Sequence, residues 1–291
     1  MTALPNPLGG ERRTWSWRQW RVSYVVRGAG APIVFVHSIH AAAWNAEWRH
    51  TVPAMAARGA CYAIDLLGFG SSDRPPVHYE ARLYLELITD FLREVVQEPA
   101  LLVGSSLGGT YAVAIAAAHP ELVSGVCAIG PAGVSRLTTP GGALGLVVQT
   151  LFRSPLPGAA LFKALVSRTS IKLFLRDIYA DRASLTPETI ELFHVSANRP
   201  GARFAPAAFV GMRLNHDIRG AIASLTQPLL IAWGEGARQT PISEAAAVLA
   251  RAPKAEFASL PGGDLPHDER PESFNVVLLR FAESVRATTH V

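Results

Sequence analysis

Very little in this sequence supports a cross-linked, metal-stapled or membrane-embedded architecture. Only two cysteines occur in 291 residues, Cys61 and Cys127, and both sit inside apolar runs. That excludes a disulfide scaffold and makes both thiols reduced core residues. No charge-free apolar run reaches the ~18 residues of a membrane-spanning helix. The segment Met1–Arg13 has no apolar stretch of the ~7–15 residues that a secretory leader needs. Charge is sparse at 17% and hydrophobic content is 49%, which excludes disorder and collagen-like structure. The expectation is a soluble, cytoplasmic protein, near the size at which one core stops growing, built as one domain with a large insertion.

The net charge of +4 is unevenly placed. Residues 134–219 hold nine Arg and two Lys against five acids, whereas the remainder holds sixteen basic against eighteen acidic residues. No Lys/Arg run interleaved with stacking aromatics accompanies that excess, so nucleic acid is excluded as a partner. An anionic substrate, an anionic membrane surface, or ordinary solvated helix faces each account for it.

Short apolar strands alternate with helical patterns along the chain. Strand-like runs are Arg21–Arg27, Ile33–His37, Cys61–Asp65, Ala100–Val103, Val123–Ile129, Pro228–Trp233 and Glu256–Leu260. Helical spacing marks Trp44–Arg58, Tyr79–Glu98, Leu107–His119, Ser243–Ala250 and Pro271–Arg286. Such alternation implies a mostly parallel sheet covered on both faces, with ligands bound beyond the strands' carboxyl ends. Residues 134–220 break the alternation and are too long for a connection. They read as a helical cap, dividing the chain into core 1–133, cap 134–220 and core 221–291. Large apolar side chains such as Leu144, Val147, Leu151 and Phe174 recur there among Arg153, Lys163, Arg168, Lys172 and Arg176. They either pack over the pocket or form an exposed, basic-rimmed surface suited to an anionic membrane.

The run Ala100–Gly109, ALLVGSSLGG, places G-x-S-x-G between an apolar strand and a helix. That context predicts a sharp turn lifting the Ser106 hydroxyl above the sheet, with Ser105 beside it and the Leu107 amide at a helix start where an oxyanion would develop. With this turn go DLLGFGSSDRP (Asp65–Pro75), WGEGARQTP (Trp233–Pro241) and GGDLPHDERPESF (Gly262–Phe274). In these blocks and their order the chain resembles the α/β-hydrolase superfamily over nearly its whole length. The resemblance implies an α/β fold with a mostly parallel eight-stranded sheet, flanking helices and a helical cap after the sixth strand. It also implies that Ile39, in His37-Ser38-Ile39-His40, supplies the second oxyanion amide. Ser38 stands where glycine is usual, His37 reads as a bracing histidine, and Ser38, His40 and Ser105 are placed at the pocket.

Two departures matter. The family's acid falls four residues after Trp233, where this chain has Ala237, and its histidine falls five before Glu269, where this chain has Asp264. A serine nucleophile needs a base and a group to orient it. Three readings follow. His267 acts as a relocated base with Asp264 orienting it; or Asp264 itself moves protons in lyase- or isomerase-type chemistry; or the pocket only binds a hydrophobic ligand. His194 and His216 are lesser candidates. No G-x-G-x-x-G follows the first strand and no His/Cys/Asp set has metal spacing, so neither cofactor nor metal is expected. The reading is a hydrolase-like protein acting on a hydrophobic ester or another carbonyl-bearing small molecule, with no expectation for oligomeric state.

Overall fold

The computed structural model describes residues 3–289. Its eight strands are β1 (Glu11–Trp17), β2 (Trp20–Arg27), β3 (Pro32–Val36), β4 (Ala60–Ile64), β5 (Ala100–Ser105), β6 (Val123–Ile129), β7 (Leu229–Gly234) and β8 (Glu256–Leu260). They form one sheet in the order β1-β2-β4-β3-β5-β6-β7-β8, antiparallel at β1/β2 and β2/β4 and parallel elsewhere. This is the expected α/β-hydrolase fold. β1 was not among the expected strands. It is an edge strand that buries only Trp17 at its end, so it carries no apolar run to reveal it.

The inner strands β3 and β7 carry no polar side chain, because both faces are covered. In β3, Val34 and Val36 join Leu87, Phe91, Tyr111 and Ile115 on one face. Ile33 and Phe35 meet Trp48, Phe274, Leu278 and Phe281 on the other. The helices supplying these layers are α1 (Thr51–Met55), α2 (Ala81–Phe91) and α3 (Leu107–Ala118), with the C-terminal helix that carries Phe274, Leu278 and Phe281. Between β6 and β7 come α4 (Ala143–Arg153), α5 (Pro157–Leu165), α6 (Arg168–Ile178), α7 (Pro187–Ala197), α8 (Phe204–Val210) and α9 (Arg219–Ser224). The chain closes with α10 (Ala245–Leu249), α11 (Pro266–Glu269) and α12 (Pro271–Thr289). The expected helix over Trp44–Arg58 is instead a 3₁₀ turn, Asn45–Trp48, followed by the short α1. Asp65 accepts the Asn45 amide at 2.9 Å, and Glu47 turns inward to Ser38, so these residues serve tertiary contacts that a regular helix would not allow.

The strand order positions the site. From β3 the chain goes outward to β4, then crosses back to place β5 on the other side of β3. The loops leaving β3 and β5 therefore diverge at a switch point, opening a crevice above adjacent strand ends. Val36 pairs with Gly104 and Ser105 with Ile129, so the loops after β3, β5 and β6 leave the sheet at one level.

Candidate active site

Ser106 sits between β5 and α3 with φ 52° and ψ −121°, a conformation that costs an L residue roughly 1–3 kcal/mol. Its amide donates to the Ile129 carbonyl at 2.8 Å and its carbonyl accepts the Thr110 amide at 3.0 Å, which hold the turn. The two glycines of G-x-S-x-G are needed for close approach. A Cβ at Gly104 would lie 2.5 Å from the Gly108 backbone, and one at Gly108 would lie 2.6 Å from the carbonyl oxygens of Val36 and His37. Those contacts draw the elbow against the β3 loop. The amides of Ile39 and Leu107 have no acceptor among the described residues.

Above the elbow lies a cavity of about 300 Å³. Ser38, Ile39, His40, Ser106 and Asp264 are all on its wall, with Phe174, Ile178 and Phe209 from the insertion and Trp233 and Ala237 from the β7 end. Ser105 is not on the wall. It is the last residue of β5, fully buried, with its hydroxyl unpartnered. Leu107 is likewise buried behind the wall as the first residue of α3.

Asp264 shares the wall with Ser106 but makes no hydrogen bond to it. Its carboxylate accepts the amides of Arg238 (3.0 Å), Gln239 (3.2 Å) and Thr240 (3.0 Å). Burial raises its pKa above the ordinary 3.8, and these three amides oppose the shift without cancelling it. His267, expected beside Ser106, stands elsewhere. It belongs to α11, is fully buried, stacks on Trp48 at 4.2 Å between centroids, and is absent from the cavity wall. Its Nε2 lies 3.5 Å from Oε1 of Glu47. The flat indole of Trp48 and the edge contact with Phe274 fix the ring in that layer. His194 lies 3.7 Å from Glu191, and neither it nor His216 reaches the wall.

The wall's histidine is His40. Its Nδ1 accepts the Ala42 amide at 3.2 Å, which leaves the ring proton on Nε2. That Nε2–H is buried without a partner, and the ring lies 5.0 Å from Phe174 and 5.9 Å from Phe193. Burial pushes its pKa down to about 4, with Glu47 pulling weakly the other way. His37 braces the loop: Nδ1–H donates to the Ser38 carbonyl at 2.6 Å and Nε2 accepts the Leu66 amide at 3.1 Å.

Three acidic residues escaped the sequence reading. Buried Glu47 accepts the Ser38 amide at 2.8 Å and the Ser38 hydroxyl at 2.6 Å, so the Ser38 proton is committed away from the cavity. Burial alone would raise the Glu47 pKa, but His267, His37 and Ser38 together bring it below the usual carboxylate range. Asp268 pairs with Arg49 at 2.8 Å and accepts the Tyr179 hydroxyl. Glu269 accepts the amides of Gly263, Ala180 and Asp181, tying the insertion to the loop that carries Asp264. Acidic residues before Arg49 and after His267 in apolar surroundings are the only trace of these bonds in the sequence. The described residues hold no cluster of three or more metal-ligating side chains. Burial pushes the Cys61 thiol up to about 12, so it offers no nucleophile.

Residues 33–276 match the model of the alpha/beta hydrolase family, and the chain belongs to that family. It is 38% identical over 117 residues to the 2-hydroxymuconate semialdehyde hydrolase of a Pseudomonas species, covering 39% of this chain and 41% of that protein. The match to such first relatives therefore spans about two-fifths of their length. A longer match, 28% identical over 242 residues and 82% of each chain, is to the 2-(acetamidomethylene)succinate hydrolase of Mesorhizobium japonicum. Among solved structures, a serine hydrolase involved in carbazole degradation superposes with a TM-score of 0.79 at 20% identity, covering 94% of this chain and 99% of that one. The named relatives are hydrolases, and this chain is a hydrolase-like member of the family.

Proposed function

We propose that this chain hydrolyses a small, hydrophobic, carbonyl-bearing molecule held between Ser106 and Asp264, without an imidazole at its nucleophile. The carbonyl oxygen would take the unengaged amides of Ile39 and Leu107, an oxyanion hole aimed at charge that develops in the transition state. Ser106 Oγ would bond to the carbonyl carbon and release its proton to Asp264 through a water in the gap between them. That proton would then pass to the leaving group, and water would cleave the acyl-serine by the same route. Asp264 has capacity for this. A carboxylate offers about four lone-pair sites, of which the three loop amides use three.

The carrying observation is that Asp264 is the acidic group on the wall with Ser106, while His267 is packed against Trp48 and Glu47. His40 supplies the complementary function. Its orphaned Nε2–H is a neutral donor for a second polar atom of the substrate. The cap side chains Phe174, Ile178 and Phe209 favour an apolar body. The hydrolases it resembles, which by name act on a semialdehyde and on a substituted succinate, support a carbonyl-bearing substrate class. A carboxylate is a weaker base than imidazole toward a serine hydroxyl, so turnover should be slow compared with an enzyme holding a full triad.

The test is turnover of a panel of small activated esters by the wild type, Ser106→Ala and Asp264→Asn. Both variants should lose about 10²-fold or more in kcat/KM. Wild-type turnover in Asp264→Asn would overturn the assigned base. Wild-type turnover in Ser106→Ala would overturn the site.

A further inference from the structure

Helix α4 is packed inside out. An ordinary surface helix buries its large apolar stripe and exposes its polar face. Here the buried residues are Gly145 and Gln149, one turn apart, while Leu144, Leu146, Val147 and Leu151 are exposed. The inward face is fixed by close backbone approach: a Cβ on Gly145 would lie 2.2 Å from the carbonyl oxygen of Gly211, just after α8. Helix α5 is held against α4 in the same way, since a Cβ on Gly158 would lie 2.3 Å from the Leu151 carbonyl oxygen. This hairpin adds Leu156, Leu161 and Leu165 to the exposed set, and Leu156 is 82% exposed. Seven large apolar side chains thus face outward within 22 residues. Scattered exposed leucines need no explanation, but a contiguous set on a packed hairpin marks a contact surface.

Charge selects the partner. Residues 122–176 contain no Asp or Glu at all, yet hold Arg136, Arg153, Lys163, Arg168, Lys172 and Arg176. Lys163, Lys172 and Arg176 are exposed and form no ion pair among the described residues, and Leu173 is exposed between the latter two. The α4–α5 segment itself carries cations and no acid, and the acids near Lys172 and Arg176 (Asp177, Glu188 and Glu191) belong to α6 and α7. Such an apolar, net-basic face complements a surface that is apolar beneath and anionic at its boundary. A second copy of this chain fits poorly, because a two-fold contact would bring the same cations together.

We propose that the α4–α5 hairpin is a peripheral docking face for an anionic lipid bilayer. Leu144, Val147, Leu151 and Leu156 enter the headgroup boundary, and Lys163, Lys172 and Arg176 lie over anionic headgroups. No helix among the described residues is long and apolar enough to cross a membrane, so the contact is one of surface attachment.

The test is co-sedimentation of the full chain with vesicles of phosphatidylcholine alone and of phosphatidylcholine with phosphatidylglycerol, at low salt and at about 0.5 M salt. Binding should require the anionic lipid and fall several-fold in high salt, as screening shortens the range of exposed charges to below about 8 Å. Val147→Glu with Leu151→Glu should lose binding about tenfold or more while the circular dichroism spectrum is unchanged. Replacing Lys163, Lys172 and Arg176 by Gln should abolish the salt dependence. Absence of binding to the anionic vesicles at low salt, or undiminished binding by the glutamate variant, would overturn the proposal. So would a wild-type dimer in solution that the glutamate variant splits into monomers, since the face would then belong to a second copy.

Discussion

His40 should make the folded protein acid-sensitive, and its contribution is separable from that of every other group. The ring is buried between Phe174 and Phe193, and burial lowers its pKa from 6.5 to about 4. Between those values the unfolded chain binds a proton that the folded chain refuses, so stability falls as pH drops from 6.5 toward 4. At 1.36 kcal/mol per unit, the full loss from this group is roughly 3 kcal/mol. The part that develops between pH 7 and about pH 5 is about 2 kcal/mol, because protonation of the folded form has barely begun there. A His40→Gln variant removes the titration while its side-chain oxygen can still accept the Ala42 amide. Urea unfolding followed by tryptophan fluorescence at both pH values gives the comparison. The wild type should lose about 2 kcal/mol more than His40→Gln between them, the carboxylates titrating alike in both. A constant offset between the two proteins would refute the reasoning. It would mean that the folded ring takes up its proton freely and that a cation, not a neutral donor, faces the cavity.

Two further outcomes test the site and its support. Ala237→Asp with Asp264→His places an acid and an imidazole at the two positions that the resemblance assigns to them. On a scaffold that keeps its elbow and free amides, hydrolysis of small activated esters should rise about 10²-fold or more in steady-state assays. No gain in a correctly folded variant would mean that the pocket is shaped for other chemistry. The buried Arg49–Asp268 pair should behave as an anchor for the insertion: Asp268→Asn should cost about 3–5 kcal/mol by leaving Arg49 uncompensated. Removing both partners with Arg49→Met and Asp268→Leu should restore much of that loss in thermal unfolding.

The elbow and the fold were legible because their signals are local. Gly104, Ser106 and Gly108 act within one turn, and continuous apolar runs announce strands buried on both faces. That Ala237 and Asp264 stand where the resemblance led one to expect an acid and a histidine was read off position by position. What escaped depends on three-dimensional closure. His267 lies three residues beyond Asp264, yet the first turn of α11 directs it onto Trp48 instead of toward Ser106. Nothing in a linear pattern announces that Glu47 would reach back nine residues to bind Ser38. The amphipathic spacing of α4 concealed its orientation. The leucine stripe of α4 has the spacing of a buried face, and only the glycine contacts with α8 show that it turns outward.

The pH dependence of kcat/KM, measured on a small activated ester for the wild type, Asp264→Asn and His267→Gln, tests most directly whether Ser106 works without histidine. Burial raises the Asp264 pKa, so activity that needs its carboxylate falls as pH drops, with a midpoint above the ordinary 3.8. The expected result is Ser106-dependent turnover whose acid limb disappears in Asp264→Asn, with the rate reduced about 10²-fold or more, and persists in His267→Gln. An acid limb that vanishes in His267→Gln and survives in Asp264→Asn would contradict the account.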